Sequence, residues 1–308
     1  MKLKIKVPAT SANLGPGFDC LGVALDLYNE FEVEIVKDSS VFEIKFEKDK
    51  SNISTGKDNI IYEAMRKVCK RYNKKVCGLK LNVKNNIPIS RGLGSSASAY
   101  VAGTVIGMVM CGKDVVEDEV INIASELEGH PDNVVPAVMG GLCVSSKVFE
   151  KDKSVIKYIK FFVSKDLIAL LLIPAVKIST KEARKILPKK VLFSEAVRNV
   201  GNSTLLVSSI LKKEYSILRF ATEDYLHQPY RKKLMPWLTQ VFEICKKNKC
   251  LSSVLSGSGS TILSFYEKKV LTSNLVNKVK NLVEAETKLN FDCKKVSFSN
   301  SGMSIRIF

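Results

Sequence analysis

A glycine-rich segment in the first third of the chain has the residue types of an anion-binding loop. It covers residues 88–99, reads PISRGLGSSASA and leads directly into a run of small apolar residues typical of a helix. The first backbone N–H groups of a helix lack partners within the helix, and the aligned peptide dipoles add partial positive charge there. Gly92 and Gly94 allow this backbone to come close to a ligand. The segment therefore predicts a cradle for an anion.

The spacing of this loop differs from that of two common nucleotide-binding loops. A P-loop ends in Gly-Lys-Ser or Gly-Lys-Thr, which the segment lacks. A dinucleotide fingerprint needs another glycine spacing and a distant acidic residue. An ordinary helix cap is the alternative explanation of one Gly-x-Gly-Ser sequence. Two further glycine- and serine-rich loops, at residues 8–22 and 255–261, argue against that explanation.

Two arginines in the second half of the chain have the chemistry of a carboxylate site. Ser179 and Glu182 have the spacing of a capping box, so we expect a helix to begin there. Thr180 and Arg184 then lie four residues apart on one helix face, and an arginine beside a hydroxyl suits a carboxylate. Arg231 is a candidate second cation. The alternative is that Arg184 is a solvated helix residue.

The elements that must position these residues mix strands and helices. Apolar patterns predict strands at 3–7, 31–35, 42–46, 79–83, 167–176 and 261–265. They predict helices at 59–72, 96–110, 114–128, 180–187, 195–211, 236–246 and 271–284. One stripe of the 195–211 helix holds Ala196, Val197, Val200, Thr204, Val207 and Leu211. Without strict βαβ alternation, this order predicts an α+β fold. The lysine-rich segment 147–160 is the best place for a domain boundary.

The composition is that of a globular protein with a basic surface. Of 308 residues, 45% are hydrophobic and 26% charged. No apolar run suits a membrane span and no signal peptide is evident, so we expect a cytoplasmic protein without a membrane partner. The net charge of +17 would suit a nucleic acid, but the lysines are scattered among acidic residues. We therefore expect no nucleic-acid partner. The eight cysteines form no Cys-x-x-Cys pair, which argues against zinc.

Taken together, the three glycine- and serine-rich loops resemble the three motifs of the GHMP kinases, such as galactokinase, homoserine kinase and mevalonate kinase. The resemblance covers essentially the whole chain, and the Pro-x-x-x-Gly-Leu-Gly-Ser-Ser-Ala pattern at residues 88–97 is its most specific motif. It implies a two-domain α+β GHMP kinase fold. Residues 1–155 would form an ATP-binding domain like the second domain of ribosomal protein S5. Residues 156–308 would form a ferredoxin-like α/β sandwich.

Within this superfamily, residues 126–137 resemble the Glu-Gly-His-x-Asp-Asn-Val-x-Pro-Ala segment of the homoserine kinases, as do residues 179–188 and 226–231. This resemblance implies phosphorylation of the side-chain hydroxyl of L-homoserine by ATP, in threonine biosynthesis, by a homodimer. A kinase of the mevalonate or 4-diphosphocytidyl-methylerythritol type is the alternative, and a nucleic-acid-binding protein on the same scaffold is a remote one. Many homoserine kinases have extra residues between the Glu-Gly pair and the histidine, which this chain lacks.

The resemblance also implies roles for individual residues. The ATP site would comprise Pro88, Ile89, Ser90, Arg91, Gly92, Leu93, Gly94, Ser95, Ser96, Ala97 and Ser98. Ser96 and Glu128 would bind Mg²⁺, with Glu126 as the competitor of Glu128. Homoserine would contact Asn13, Asp19, His130, Thr180, Arg184, Arg231 and Gly257.

The proton acceptor has two candidates in the same segment. Asp132 corresponds to the aspartate base of mevalonate-type members, whereas the homoserine kinases imply that Asn133 faces the hydroxyl. An amide cannot take a proton, but phosphoryl transfer through a loose transition state does not require early deprotonation. We therefore favour Asp132 as a hydrogen-bonding residue.

Overall fold

Two β-sheets organise the residues that this computed structural model describes, namely 1–36, 39, 41–47, 53–150 and 153–308. In chain order the strands are β1 (Lys2–Ala12), β2 (Leu21–Val36), β3 (Phe42–Glu47), β4 (Gly78–Lys84), β5 (Leu142–Glu150), β6 (Lys153–Phe161), β7 (Leu167–Pro174), β8 (Ser252–Leu255), β9 (Ile262–Glu267), β10 (Phe291–Ser297) and β11 (Ser304–Ile307). The first sheet has the order β11-β1-β2-β4-β3, with the β5–β6 hairpin attached to β2. Its pairs are antiparallel except β3 with β4.

The second sheet has the order β10-β7-β9-β8 and is antiparallel throughout. Its central strand β7 is a continuous apolar run with every residue buried. This is the pattern expected of a strand with both faces covered. The strand order, with helices between β7 and β8 and between β9 and β10, is that of a ferredoxin-like sandwich.

Helices cover these sheets and carry the loops between them. In chain order they are α1 (Ile60–Arg71), α2 (Ser95–Met110), α3 (Glu117–Glu128), α4 (Val134–Met139), α5 (Thr180–Lys185), α6 (Phe193–Lys212), α7 (Leu218–Ala221), α8 (Gln228–Arg231), α9 (Leu238–Lys247) and α10 (Ser273–Thr287). Short 3-10 turns lie at Tyr215–Ile217 and Lys232–Leu234. Within the described part of the chain, none of these helices is both long and apolar enough to cross a bilayer.

Helix α2 is the buried centre of the first domain. Its small side chains pack with those of β1, β2 and β4 in one hydrophobic core, which includes Ala97, Val101 and Val105. Small residues let the helix approach its neighbours closely, and close packing makes its position rigid. Its first residue, Ser95, is thereby held at a fixed place at the mouth of the glycine-rich loop.

Most of the predicted elements exist, but the expected stripe of α6 is wrong. Val197 and Val200 are 55% and 64% exposed, whereas Asn199 is buried. The Asn199 amide donates to Pro16 O at 2.7 Å and its Oδ1 accepts from Tyr225 N at 3.1 Å. The buried face of this helix therefore carries an amide that satisfies two backbone groups, and Val197 and Val200 face outward.

The described residues of the lysine-rich segment 147–160 lie in two paired strands, β5 and β6. Its second strand, β6, pairs with β5 along its full length. The predicted domain boundary after residue 155 therefore lies within β6, and the first sheet also takes back β11 from the end of the chain. The division into domains at that residue stays a prediction.

Candidate active site

A cavity of about 310 Å³ is lined by segments that are distant in sequence. They include the turn after β1, the glycine-rich loop before α2, the turn between α3 and α4, the start of α5, the end of α8, and the loop between β8 and β9. One part of the lining is apolar and includes Phe46, Ile60 and Val83. A concave site with an apolar part and a few convergent polar groups is typical of small-molecule binding.

The glycine-rich loop has no room for side chains at its two central glycines. Gly92 has φ +73°, and a Cβ there would lie 2.1 Å from Ser256 O. Gly94 has φ +69°, and its Cβ would lie 2.0 Å from Thr10 Oγ1. Backbone hydrogen bonds from Thr10 N to Leu93 O and from Thr261 N to Arg91 O fix the loop on both sides. The anion cradle predicted from the sequence is thus a tightly held turn before α2.

The predicted nucleotide-binding residues divide into two groups. Residues 88–96 line the cavity. Ala97 and Ser98 have fully buried side chains behind the loop. Ser98 Oγ donates to Ser95 O at 2.8 Å and accepts from Asn29 Nδ2 at 3.0 Å. These two side chains support the start of α2 rather than line the cavity.

Ser96 and Glu128 meet on the cavity wall. Ser96 Oγ donates a hydrogen bond of 2.6 Å to Glu128 Oε1 at the end of α3. Burial raises the pKa of Glu128, and the bond from Ser96 opposes that shift. The competitor, Glu126, pairs instead with Lys67 Nζ at 2.5 Å and is mostly exposed. A hydroxyl and a carboxylate together offer the hard oxygen ligands that Mg²⁺ prefers.

Asp19 and Arg184 form a bidentate ion pair across the cavity. Arg184 Nη1 donates to Asp19 Oδ2 at 3.0 Å and Nη2 donates to Oδ1 at 2.6 Å. Asp19 N donates to Asn13 Oδ1 at 3.0 Å, which fixes the turn that carries the carboxylate. Burial lowers the pKa of Arg184, but the Asp19 carboxylate outweighs it and the net shift is upward.

His130 and Asp132 form a second charged pair beside the first. His130 Nδ1 lies 2.5 Å from Asp132 Oδ1, and Asp132 is buried. Burial lowers the pKa of His130, but the Asp132 and Glu128 carboxylates outweigh it and the net shift is upward. Asp19, His130 and Asp132 bring one ligand atom each within 4.8 Å of one another. Arg184 provides positive charge beside these two carboxylates, and the upward pKa shift favours the protonated form of His130.

The Asn133 side chain is held by a hydrogen bond to its amide oxygen. Thr10 Oγ1 donates to Asn133 Oδ1 at 2.8 Å. In the described part of the chain Nδ2 has no acceptor, although Asn133 lines the cavity. The N–H groups of this amide are therefore available to a ligand.

Arg231 is a buried cation with no carboxylate partner among the described residues. It is 2% exposed and lines the cavity. Its Nε donates to Ala183 O at 3.2 Å, and its Nη1 donates to Gly257 O at 2.8 Å and to His227 Nδ1 at 3.0 Å. Burial and the nearby Arg184 lower its pKa to about 10. The two N–H groups of Nη2 have no acceptor in the described structure.

The start of α5 and the last loop complete the cavity. The capping box of Ser179 and Glu182 is formed, as the sequence predicts. Thr180 Oγ1 at the start of the helix lies 3.5 Å from Ser258 Oγ. Gly257 O accepts from Asn13 Nδ2 at 3.1 Å as well as from Arg231. This glycine therefore acts through its carbonyl group, which joins two of the predicted site residues.

Two protein-family models match this chain, one in each half. The model of the GHMP kinases N terminal domain matches residues 59–141, and the model of the GHMP kinases C terminal domain matches residues 212–285. The homoserine kinase of Carboxydothermus hydrogenoformans is 43% identical over 84% of this chain and 84% of its own length. That of Caldicellulosiruptor bescii is 38% identical over 98% of this chain and 96% of its own length.

The chain belongs to the homoserine kinase family. A crystal structure of homoserine kinase from Cytophaga hutchinsonii superposes with a TM-score of 0.84 at 25% identity, covering 99% of this chain and 97% of the other. The predicted two-domain α+β GHMP kinase fold is thereby confirmed. The glycine-rich loops identified in the sequence are those of a homoserine kinase.

Three polar or aromatic residues of this homoserine kinase site were not predicted as site residues. Thr10 orients Asn133, and His227 contacts Arg231. The Phe18 ring lies 5.4 Å from Arg184 Cζ and 5.5 Å from Arg231 Cζ. Thr10 and Phe18 lie inside the first glycine-rich segment, and His227 lies in a motif quoted for its arginine. Proximity to those motifs was the only sequence signal available for them.

Proposed function

We propose that this protein transfers the γ-phosphoryl group of ATP to the side-chain hydroxyl of L-homoserine and forms O-phospho-L-homoserine. The observation that carries the choice of acceptor is Arg231. A buried guanidinium with two unused N–H groups, facing the cavity that contains the glycine-rich loop, suits the carboxylate of an amino acid. Family membership supports the same reaction. ATP is the donor that GHMP kinases use.

The glycine-rich loop would bind the phosphates of ATP. Backbone N–H groups from Gly92 to Ser96 lie at the start of α2, where the helix dipole favours negative charge. The apolar lining around Phe46, Ile60 and Val83 suits the base of the nucleotide. The tight packing of the loop holds these donors in place before the nucleotide arrives, so little reorganisation is needed at the moment of reaction.

Ser96 and Glu128 would hold Mg²⁺ together with phosphate oxygens and water. Their oxygens are 2.6 Å apart, at the end of the loop that would bind the phosphates. The ion would neutralise charge on the transferring phosphoryl group. Glu128 would bind as the carboxylate, and an ion there would favour that form over the protonated one.

Homoserine would lie among the charged pairs. Arg231 and the unused N–H groups of Arg184 would bind its carboxylate, while Asp19 suits its ammonium group. Asn13 and Gly257 would hold the wall behind them, and His130 and Thr180 would close the remaining sides. Orienting the hydroxyl for in-line attack is the main catalytic task in such a reaction.

Asn133 would donate a hydrogen bond near the attacking hydroxyl through Nδ2, the group that Thr10 leaves free. Asp132 is engaged with His130 at 2.5 Å, which favours a role in orientation. The proton of the hydroxyl would then pass to a phosphoryl oxygen late in the reaction. A loose transition state permits this order because the nucleophile needs little activation before attack.

The assay that tests this function measures ATP consumption with one acceptor at a time. We expect stimulation by L-homoserine, and none by mevalonate, galactose or 4-diphosphocytidyl-methylerythritol. If only one of the other acceptors stimulated ATP consumption, the protein would still be a kinase, but L-homoserine would not be its substrate. Identification of O-phospho-L-homoserine by mass spectrometry separates transfer to the acceptor from ATP hydrolysis.

We also propose that the active protein is a homodimer. The outward face of α6 supports a self-association surface, since Phe193, Val197 and Val200 are 86%, 55% and 64% exposed. Residues 199–211, which include Val200 and the exposed Leu205 and Leu211, contain no charged side chain in a chain of net charge +17. Copies repel one another elsewhere, so an uncharged apolar face suits a second copy. Sedimentation of Val197→Glu/Val200→Glu against the unmodified chain tests this: both sedimenting alike would refute the surface.

A further inference from the structure

His227 is a fully buried histidine with a protein partner on each ring nitrogen. It is 0% exposed. Nε2 lies 2.8 Å from Gly15 O, and Nδ1 lies 3.0 Å from Arg231 Nη1. Asp224 Oδ2 is a second neighbour of Nε2 at 3.3 Å. No step of the proposed reaction uses this imidazole.

The partners of His227 define its protonation. A guanidinium only donates hydrogen bonds, so Nδ1 must accept; a carbonyl oxygen only accepts, so Nε2 must carry the hydrogen. Burial and the Arg231 cation lower the pKa of His227 to about 3. The ring is therefore neutral, with one tautomer.

This tautomer completes the set of acceptors around Arg231. Nη1 has two N–H groups, of which one is bound by Gly257 O and the other by His227 Nδ1. The Nε N–H is bound by Ala183 O. Three acceptors on three elements fix the plane of the guanidinium, and Nη2 is the nitrogen left for a ligand.

The position of His227 is itself determined by its surroundings. The Asp224 carboxylate accepts from the backbone N–H groups of Leu226, His227 and Gln228. The imidazole lies 5.4 Å from the Phe18 ring, which also packs against Arg231. The imidazole is therefore held rigidly, and its hydrogen bond to Arg231 can fix the orientation of the guanidinium.

We propose that His227 is a positioning residue for substrate binding, which orients the Arg231 guanidinium toward the substrate carboxylate by accepting the Nη1 hydrogen bond. This inference rests on the proposed function, because it requires a carboxylate at Nη2. The role does not include contact with the substrate or transfer of a proton.

Three substitutions separate this role from a merely structural one. His227→Asn can place an amide oxygen near the Nδ1 position and keep an acceptor for Arg231. His227→Gln can place an amide N–H near the Nε2 position and keep the donor to Gly15 O. His227→Ala keeps neither. Asn248→Ala is the matched control, because Asn248 is buried and bonds only within its helix end, to Ile244 O.

The readout is the KM for homoserine against that for ATP, at saturating Mg²⁺. We expect His227→Ala to raise the homoserine KM roughly tenfold or more, since a lost hydrogen bond to a charged group has that effect. The ATP KM should stay near that of the unmodified protein. His227→Asn should recover most of the loss and His227→Gln little of it. Asn248→Ala should lower the thermal midpoint and leave both KM values unchanged.

Several results would overturn the inference. If His227→Gln restored the homoserine KM and His227→Asn did not, the role of His227 would be to hold the loop that contains Gly15. Equal increases in both KM values would show a general loss of structure, as would a homoserine KM shift in Asn248→Ala. Failure of the unmodified protein to phosphorylate homoserine would instead reject the proposed function, so the two failures are distinguishable.

Discussion

Arg184 Nη1 and Nη2 donate two hydrogen bonds to the carboxylate of Asp19, and this pair joins a helix of the second half of the chain to the first glycine-rich turn. Arg184 thus already has an anionic partner before a substrate carboxylate arrives, whereas Arg231 has none among the described residues. The two arginines therefore differ in role, although the sequence presents them as equivalent cations. Arg184 is held in the site by Asp19, and we propose that it also binds the ligand.

We expect Arg184→Ala to raise the homoserine KM by more than about tenfold, because removing one member of a charge pair costs roughly 2–5 kcal/mol when the other is left unpaired. Arg184→Lys should not restore binding, since an ammonium group cannot reproduce the two-pronged contact with Asp19. Steady-state kinetics in homoserine at fixed ATP measure both variants. A homoserine KM unchanged in Arg184→Ala would limit the residue to its ion pair with Asp19.

Glu128→Gln should lower kcat steeply while the homoserine KM changes little, because the carboxylate is proposed to act on the metal and not on the acceptor. Glu126→Gln is the matched control on the same helix, where the side chain pairs with Lys67 at the surface. Kinetics over a range of Mg²⁺ concentrations provide the measurement. Should Glu126→Gln lose activity and Glu128→Gln keep it, the ligand assignment is reversed.

Asn133→Ala should reduce kcat more than Asp132→Asn does, since only Asn133 is proposed to donate toward the attacking hydroxyl. Thr10→Val should reproduce part of the Asn133→Ala defect because it removes the donor that orients the amide. Single-turnover rates at saturating substrates compare the three. A larger loss in Asp132→Asn, with the acidic limb of the pH–rate profile abolished, would make Asp132 the base.

The His130–Asp132 pair predicts a pH-dependent contribution to stability. The pKa of His130 is raised in the folded protein, so folding favours its protonated form. This contribution is complete below the unfolded pKa of roughly 6.5 and is lost as the pH rises through the higher folded value. We expect the difference in unfolding free energy between the unmodified protein and His130→Asn to shrink as the pH rises above about 6.5.

Urea unfolding at a series of pH values measures that difference. His227 is present in both proteins, so its own titration cancels in the comparison. A difference that grows with pH would mean that folding favours the neutral form of His130, in which Nδ1 still donates to Asp132.

The sequence predicts a structural feature well when the residues that determine it are close together in the chain. The glycine-rich loop and the capping box at Ser179 follow from a few adjacent residues, and both form as expected. The exposed face of α6 does not, because Asn199 bonds to Pro16, far away in the chain. Likewise His227 meets Gly15 across 212 positions, a pairing that no local pattern specifies.

Residues that are far apart in the sequence are in contact at the site. Ser256 Oγ donates to Gly92 O at 2.6 Å, Thr261 N donates to Arg91 O, and Gly257 O receives Arg231. A chain being synthesised from its N-terminus therefore has its glycine-rich loop long before it has the residues that hold it in place. We expect a chain that has not yet reached these distant residues neither to bind ATP tightly nor to consume it.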